Sequence, residues 1–132
     1  MNPHSVTQSI EADVDPGTIF ELLADPRYIP DWAPNFADEV TGDERSGWRV
    51  TKNGEVFSIR VVTATAVHTV DYLREIVPGR EGGAYIRVVP RLGGGSVVVM
   101  TLPVPPGGDL ENVSTVLNSE LAALVRLSSA RG

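Results

Sequence analysis

Asp71, Tyr72 and Arg87 are the residues of this 132-residue chain whose types and spacing could do chemistry. Asp71 and Tyr72 sit side by side in Val67–Val77, and Arg87 is the one charge within the apolar run Tyr85-Ile86-Arg87-Val88-Val89. A carboxylate turned into apolar surroundings has its pKa raised by desolvation and can act as a general acid or base. An arginine turned the same way pairs with that carboxylate, or holds an enolate or carboxylate through its planar fork. Turned outward, Asp71 is a solvent-facing or ion-paired acid and Arg87 an ordinary sheet-surface arginine. Alternation around both is imperfect, so the facing of both strands stays open.

Trp32, Phe36, Trp48, Tyr72 and Tyr85 are candidates to line a cavity and stack on an aromatic or polycyclic ligand. The same residues would serve as plain core, since only 6% of the chain is aromatic and few other side chains can fill that volume. His4 and His68 stand in no His-x-x-x-His or Glu-x-x-x-His pattern, and cysteine is absent, so no metal and no cofactor are expected. Gly93-Gly94-Gly95 precedes a strand rather than a helix start with lysine, which excludes a phosphate loop, and no Gly-x-Ser-x-Gly elbow is present.

The elements that must position these residues follow from period and punctuation. Ser5 to Ala12 alternates as a half-buried strand. Asp15 as N-cap, Pro16 at the first helical position and the stripe Ile19, Leu22, Leu23 predict a helix of about ten residues, ended by Asp25-Pro26. Arg27 to Asn35, with two prolines, predicts a short second helix or a tight turn. Six strand candidates follow: Phe36 to Glu44, Trp48 to Lys52, Val56 to Thr63, Val67 to Val77, Ala84 to Arg91 and Ser96 to Val104. Asn53-Gly54 is the strongest hairpin signal, and Pro78-Gly79 with Gly82-Gly83, then Gly93-Gly94-Gly95, punctuate the next reversals. These short turns predict an antiparallel meander.

Pro103, Pro105 and Pro106 stop the last strand, and Asp109 caps a long helix to about Leu127. Val113, Leu117, Leu121 and Leu124 form its apolar stripe, widened by Leu110, Val116 and Val125. About 19 residues at 1.5 Å each reach roughly 30 Å, enough to cross a small sheet. One strand, two short helices, a run of strands and a final helix predict an α+β fold whose sheet wraps that helix and encloses a pocket, with Leu117 and Leu121 on its wall.

The chain is expected to form a single domain over 1–132, large enough to bury roughly two-thirds of its unfolded surface. A net charge of −6 with 11 scattered basic residues disfavours nucleic acid and anionic membrane surfaces. Met1-Asn2-Pro3-His4-Ser5 carries no basic start or apolar run, and no segment reaches the roughly 20 apolar residues of a membrane span. A cytoplasmic location is expected.

Ser9-Ile-Glu-Ala-Asp-Val-Asp-Pro-Gly-Thr-Ile-Phe-Glu-Leu-Leu-Ala-Asp-Pro-Arg-Tyr-Ile-Pro-Asp-Trp32 resembles the opening of the START-like superfamily, most strongly its polyketide cyclase/dehydrase and lipid-transport (SRPBCC) branch. Val70-Asp71, Ile86-Arg87-Val88-Val89-Pro90 and Val99-Met100-Thr101-Leu102-Pro103 are similar to the closing strands of its small members. The resemblance spans essentially the full chain through structural rather than catalytic motifs. It implies the helix-grip fold, a curved antiparallel sheet of six or seven strands around the C-terminal helix, with elements in the order β-α-α-β(5-6)-α. It also implies a hydrophobic cavity for lipids, sterols, polyketides or hormones, whose lining would include Met100 and Thr101. Some small members carry a histidine directly after the aspartate of the fifth strand, where this chain has Tyr72. The chain is shorter than many cyclases, so a smaller cavity is expected.

Three functions compete on this reading. The first is binding of a small hydrophobic or aromatic molecule of polyketide or lipid type. The second is an aromatase/cyclase-type enzyme in which Asp71, with Arg87 or Tyr72, orients and deprotonates a poly-β-ketone for aldol cyclisation and dehydration. The third is a non-catalytic module that pairs with another protein or forms a homodimer.

Overall fold

The computed structural model describes residues 4 to 131; Met1, Asn2 and Pro3, read above for a leader, and Gly132 lie outside the described residues. β1 (Ser5–Ala12) is followed by α1 (Pro16–Ala24), a 3-10 turn Pro26–Tyr28 and α2 (Ile29–Trp32). Six strands come next: β2 (Glu39–Asp43), β3 (Gly47–Lys52), β4 (Glu55–Ala64), β5 (Thr69–Val77), β6 (Arg80–Pro90) and β7 (Ser96–Pro103). α3 (Leu110–Arg131) closes the chain. The strands form one antiparallel sheet in the order β1-β7-β6-β5-β4-β3-β2, a meander closed by β1 pairing with β7. With α3 packed against β1, α1 and α2, this is the helix-grip arrangement of seven strands around the C-terminal helix.

Local chemistry explains most boundaries. Asn53 and Gly54 take φ of 51° and 80°, the two positive values a type I′ turn requires, and they join β3 to β4 in two residues. Asp109 caps α3 through its side chain, which accepts from the Asn112 amide at 3.0 Å. Asp15 occupies the N-cap position of α1, but its side chain caps nothing; its carbonyl oxygen accepts from Thr18 and Ile19 instead. The side-chain cap falls at Asp25, which accepts from the Arg27 amide.

Three boundaries depart from the sequence pattern for identifiable reasons. β5 starts at Thr69 rather than Val67, because Thr65–Val67 is a 3-10 turn and His68 adopts a left-handed φ of 52°. α3 runs to Arg131 because Ser128, fully buried, donates to the Leu124 carbonyl and so needs no outside partner. Gly82 and Gly83 do not belong to the turn: Pro78-Gly79 alone makes the reversal, and β6 begins at Arg80.

Those two glycines serve close packing within the β5–β6 ladder. A Cβ at Gly83 would clash with the Tyr72 carbonyl oxygen and lie 2.9 Å from Leu73 Cδ2, and one at Gly82 would lie 2.8 Å from Ile76 Cγ1. Gly83→Ala is therefore expected to cost about 1–3 kcal/mol. The readout is a lower urea midpoint with an unchanged slope; an unchanged midpoint would show that the two strands part there without penalty.

The core lies between the inner sheet face and the helices. Val70, Ile86, Val88, Val98 and Met100 face Ile19, Leu22 and Leu23 of α1 and Leu117, Leu121 and Leu124 of α3, all at 2% exposure or less. Each such apolar side chain contributes roughly 1.5–3 kcal/mol of transfer free energy. Among the described residues, no helix is long and apolar enough to cross a membrane.

Candidate functional site

The core is incomplete at one end of the sheet, where a cavity of about 630 Å³ separates the inner sheet face from α3. Tyr72, Arg74 and Ile76 of β5, with Met100 and Leu102 of β7, form its floor. Val113, Val116, Leu117 and Glu120 of α3 form its roof, and Ile29 and Trp32 of α2, with Phe36 of the following turn, close one side. Ile76 is 53% exposed and marks the mouth. It stands at the irregularity where the β5–β6 register shifts between Glu75 and Val77, and such bulges re-aim side chains.

The alternation of the strands decides which residues reach this space. Val70, Tyr72 and Arg74 point inward on β5, so Asp71 points outward. Cross-strand pairing aligns Asp71 with Tyr85, and Tyr85 with Thr101, while Arg87 pairs with Thr69 and Val99; all lie on the outer face of the sheet. Thr101 shares a 2.8 Å hydrogen bond there with Thr7. Burial raises the Asp71 carboxyl above its usual range, but it forms no ion pair with Arg87 among the described residues. Asp71 and Arg87, read as catalytic candidates, thus stand on the wrong side of the sheet for chemistry in the cavity.

Trp32, Phe36, Tyr72, Met100 and Leu117 do line the cavity, whereas Tyr85, Thr101, Trp48 and Leu121 do not. Trp48 opens instead on a shallow recess with Asp25, Arg27, Asp43 and Arg45. Leu121 is 1% exposed and belongs to the solid core. His68 packs against Phe20 with the rings tilted at 5.3 Å between centroids, and it does not line the cavity.

Two charged residues of the cavity, Glu120 and Arg74, are not among the candidates the sequence offers. Glu120 is 9% exposed, and burial alone pushes its carboxyl up to about 7. No side-chain hydrogen bond or ion pair holds it among the described residues. Its signal was available: Glu120 lies four residues after Val116, three after Leu117 and four before Leu124, on the apolar stripe itself. Arg74 places its guanidinium 4.1 Å above the Phe57 ring, which meets Phe36 edge-on at 5.7 Å.

Polar satisfaction around the cavity is uneven. The Tyr72 hydroxyl donates to the Leu23 carbonyl, and burial pushes its pKa further up, so it stays a neutral, occupied donor. Trp32 Nε1 and Arg74 Nε are buried without a hydrogen-bond partner. Leaving such a donor unmade costs about 1–3 kcal/mol. The cavity therefore presents a mostly apolar wall, with Asn35 and Asn112 at its edge and one carboxyl that burial pushes up to about 7. Among the described residues, no three His, Cys, Asp or Glu side chains gather in a metal-binding arrangement.

Residues 3–128 match the family model described as polyketide cyclase / dehydrase and lipid transport. The chain belongs to this family. Its fold is similar to a START superfamily protein from Mycobacterium smegmatis, with a TM-score of 0.70 at 18% identity over 98% of this chain and 99% of the other. It is also similar to the Zhui aromatase/cyclase from Streptomyces sp. R1128, with a TM-score of 0.67 at 16% identity over 96% and 94% of the two chains. A protein from Bacillus cereus, XoxI, gives 0.71 at 18% identity over 93% and 94%. At these identities the likeness establishes the fold. No curated relative matches the chain in sequence.

Proposed function

We propose that this protein binds a small hydrophobic or aromatic molecule in the cavity beneath α3. The carrying observation is the cavity itself: about 630 Å³, walled by Trp32, Phe36, Met100, Val116 and Leu117, and open at Ile76. That volume falls within the range of roughly 300–1,000 Å³ typical of small-molecule sites. The family description, which joins polyketide cyclisation with lipid transport, supports the same reading. Native mass spectrometry after exposure to a panel of fatty acids, sterols and aromatic polyketide precursors tests it. One retained molecule per chain is the expected result, and no adduct from any class would overturn the reading.

A second reading, cyclisation with dehydration, is favoured by Glu120. A carboxyl poised near 7 can take a proton from an acidic methylene and return one to a departing hydroxyl. The same experiment separates the two: a bound product lighter by one water, lost in Glu120→Gln, would mark an enzyme, and an intact ligand a carrier.

A further inference from the structure

Building on the reading that the cavity takes up an apolar molecule, we infer that Glu120 selects the occupant's chemistry: the ligand presents an accepting oxygen, a ketone or ester carbonyl, to the protonated Glu120 carboxyl, and uptake is linked to that proton. Two features converge on this. Glu120 is the one carboxyl lining the cavity, and no side chain partners it among the described residues, so a pure hydrocarbon leaves it unmatched while an acceptor oxygen takes its hydrogen bond. The one cation lining the cavity, Arg74, stands over Phe57 and makes no ion pair with Glu120, which disfavours a second positive charge inside.

The groups facing Glu120 leave it to titrate alone. Across the cavity, β5 supplies Tyr72, neutral and bonded to Leu23, and Arg74. β7 supplies Met100 and Leu102, and α2 lines the cavity with Ile29 and Trp32 while Asp31 is exposed. Glu11 of β1, Glu21 of α1, and Glu111 and Arg126 of α3 itself are also exposed. Burial is the cause of the raised carboxyl, which reaches about 7. Ionisation above that value removes the donor and places a carboxylate beside the ligand oxygen, so affinity for an acceptor falls as pH rises.

Calorimetric titration with three probes of one skeleton tests this: acetylnaphthalene, ethylnaphthalene and naphthylmethylamine. At about pH 6 the ketone is expected to bind about tenfold more tightly than the hydrocarbon, the value of one well-placed hydrogen bond. Its affinity should fall about tenfold by about pH 8, following the protonated fraction of a group with its midpoint near 7. Glu120→Gln, which keeps a donor but cannot titrate, should retain the preference and flatten the pH profile. Above pH 7, titration of the unaltered protein in two buffers of different ionisation enthalpy should show proton uptake. Equal, pH-independent affinity for ketone and hydrocarbon would overturn the inference while leaving the cavity reading intact. Tightest binding by the amine, strengthening as pH rises, would also overturn it. Uptake of none of the three would remove the cavity reading and this inference with it.

Discussion

Glu120→Gln is expected to stabilise the protein by about 3 kcal/mol at pH 8 and to change little at pH 4. In the unfolded chain the carboxyl has its ordinary value of 4.5; in the fold, burial raises it to about 7. The native state therefore holds a proton across the interval in which the unfolded chain has released it. Stability from this group is fully present below about pH 4.5 and is lost as pH rises to about 7, beyond which the loss is constant. At about 1.4 kcal/mol for each pH unit of that interval, the native protein gives up about 3 kcal/mol. Glutamine fills the same space and carries no charge to desolvate. Urea unfolding of both proteins at pH 4, 6 and 8 reads the difference directly, and for a domain of this size the gain at pH 8 corresponds to roughly 10 °C in Tm. Parallel stabilities at all three pH values would show that water reaches the carboxyl and that the cavity is wet around it.

Leu117→Trp is expected to weaken uptake of acetylnaphthalene by about thirtyfold, or about 2 kcal/mol, the scale of forcing a bulky group against an occupied space. Leu117 is as buried as Leu121 but, unlike it, lines the roof of the cavity, so an indole there has the empty volume to extend into. Leu121→Trp is the contrast. Leu121 sits one turn further along α3 in the solid core, where added bulk forces strain and costs about 1–3 kcal/mol of stability. The account thus requires the first variant to lose ligand with its fold intact and the second to lose stability. Full retention of affinity in Leu117→Trp would place the ligand elsewhere.

The fold was legible wherever a local rule coincides with a global one. Asn53-Gly54 marks a hairpin because two positive φ values are needed there, and the α3 stripe marks burial because every fourth or third residue is apolar. The site was less legible because β5 reverses its pattern at the functional end. Arg74 lines the cavity and carries its charge over an aromatic ring, so a charged residue stands where hydropathy leads one to expect an apolar one. Asp71 and Arg87 stand out in the sequence as charges in apolar strands, but two-residue alternation places both outside. Glu120 escaped for a different reason: a single acid on a long helix looks like part of its solvated side until its position is counted against Leu117 and Leu124. Gly82-Gly83 reads as a turn from composition, whereas its lack of side chains accommodates Ile76 and the Tyr72 carbonyl within the ladder.

The most direct test of the central claim, that the space between the sheet and α3 is the binding site, is methyl-resolved NMR during titration with acetylnaphthalene at about pH 6. The predicted shifts are confined to methyls that line the cavity, among them Ile29, Ile76, Met100, Val113, Val116 and Leu117. The methyls of Val62 and Val99, which share the outer face with Asp71 and Arg87, should stay unmoved. Shifts on that outer face with a silent cavity would contradict the account.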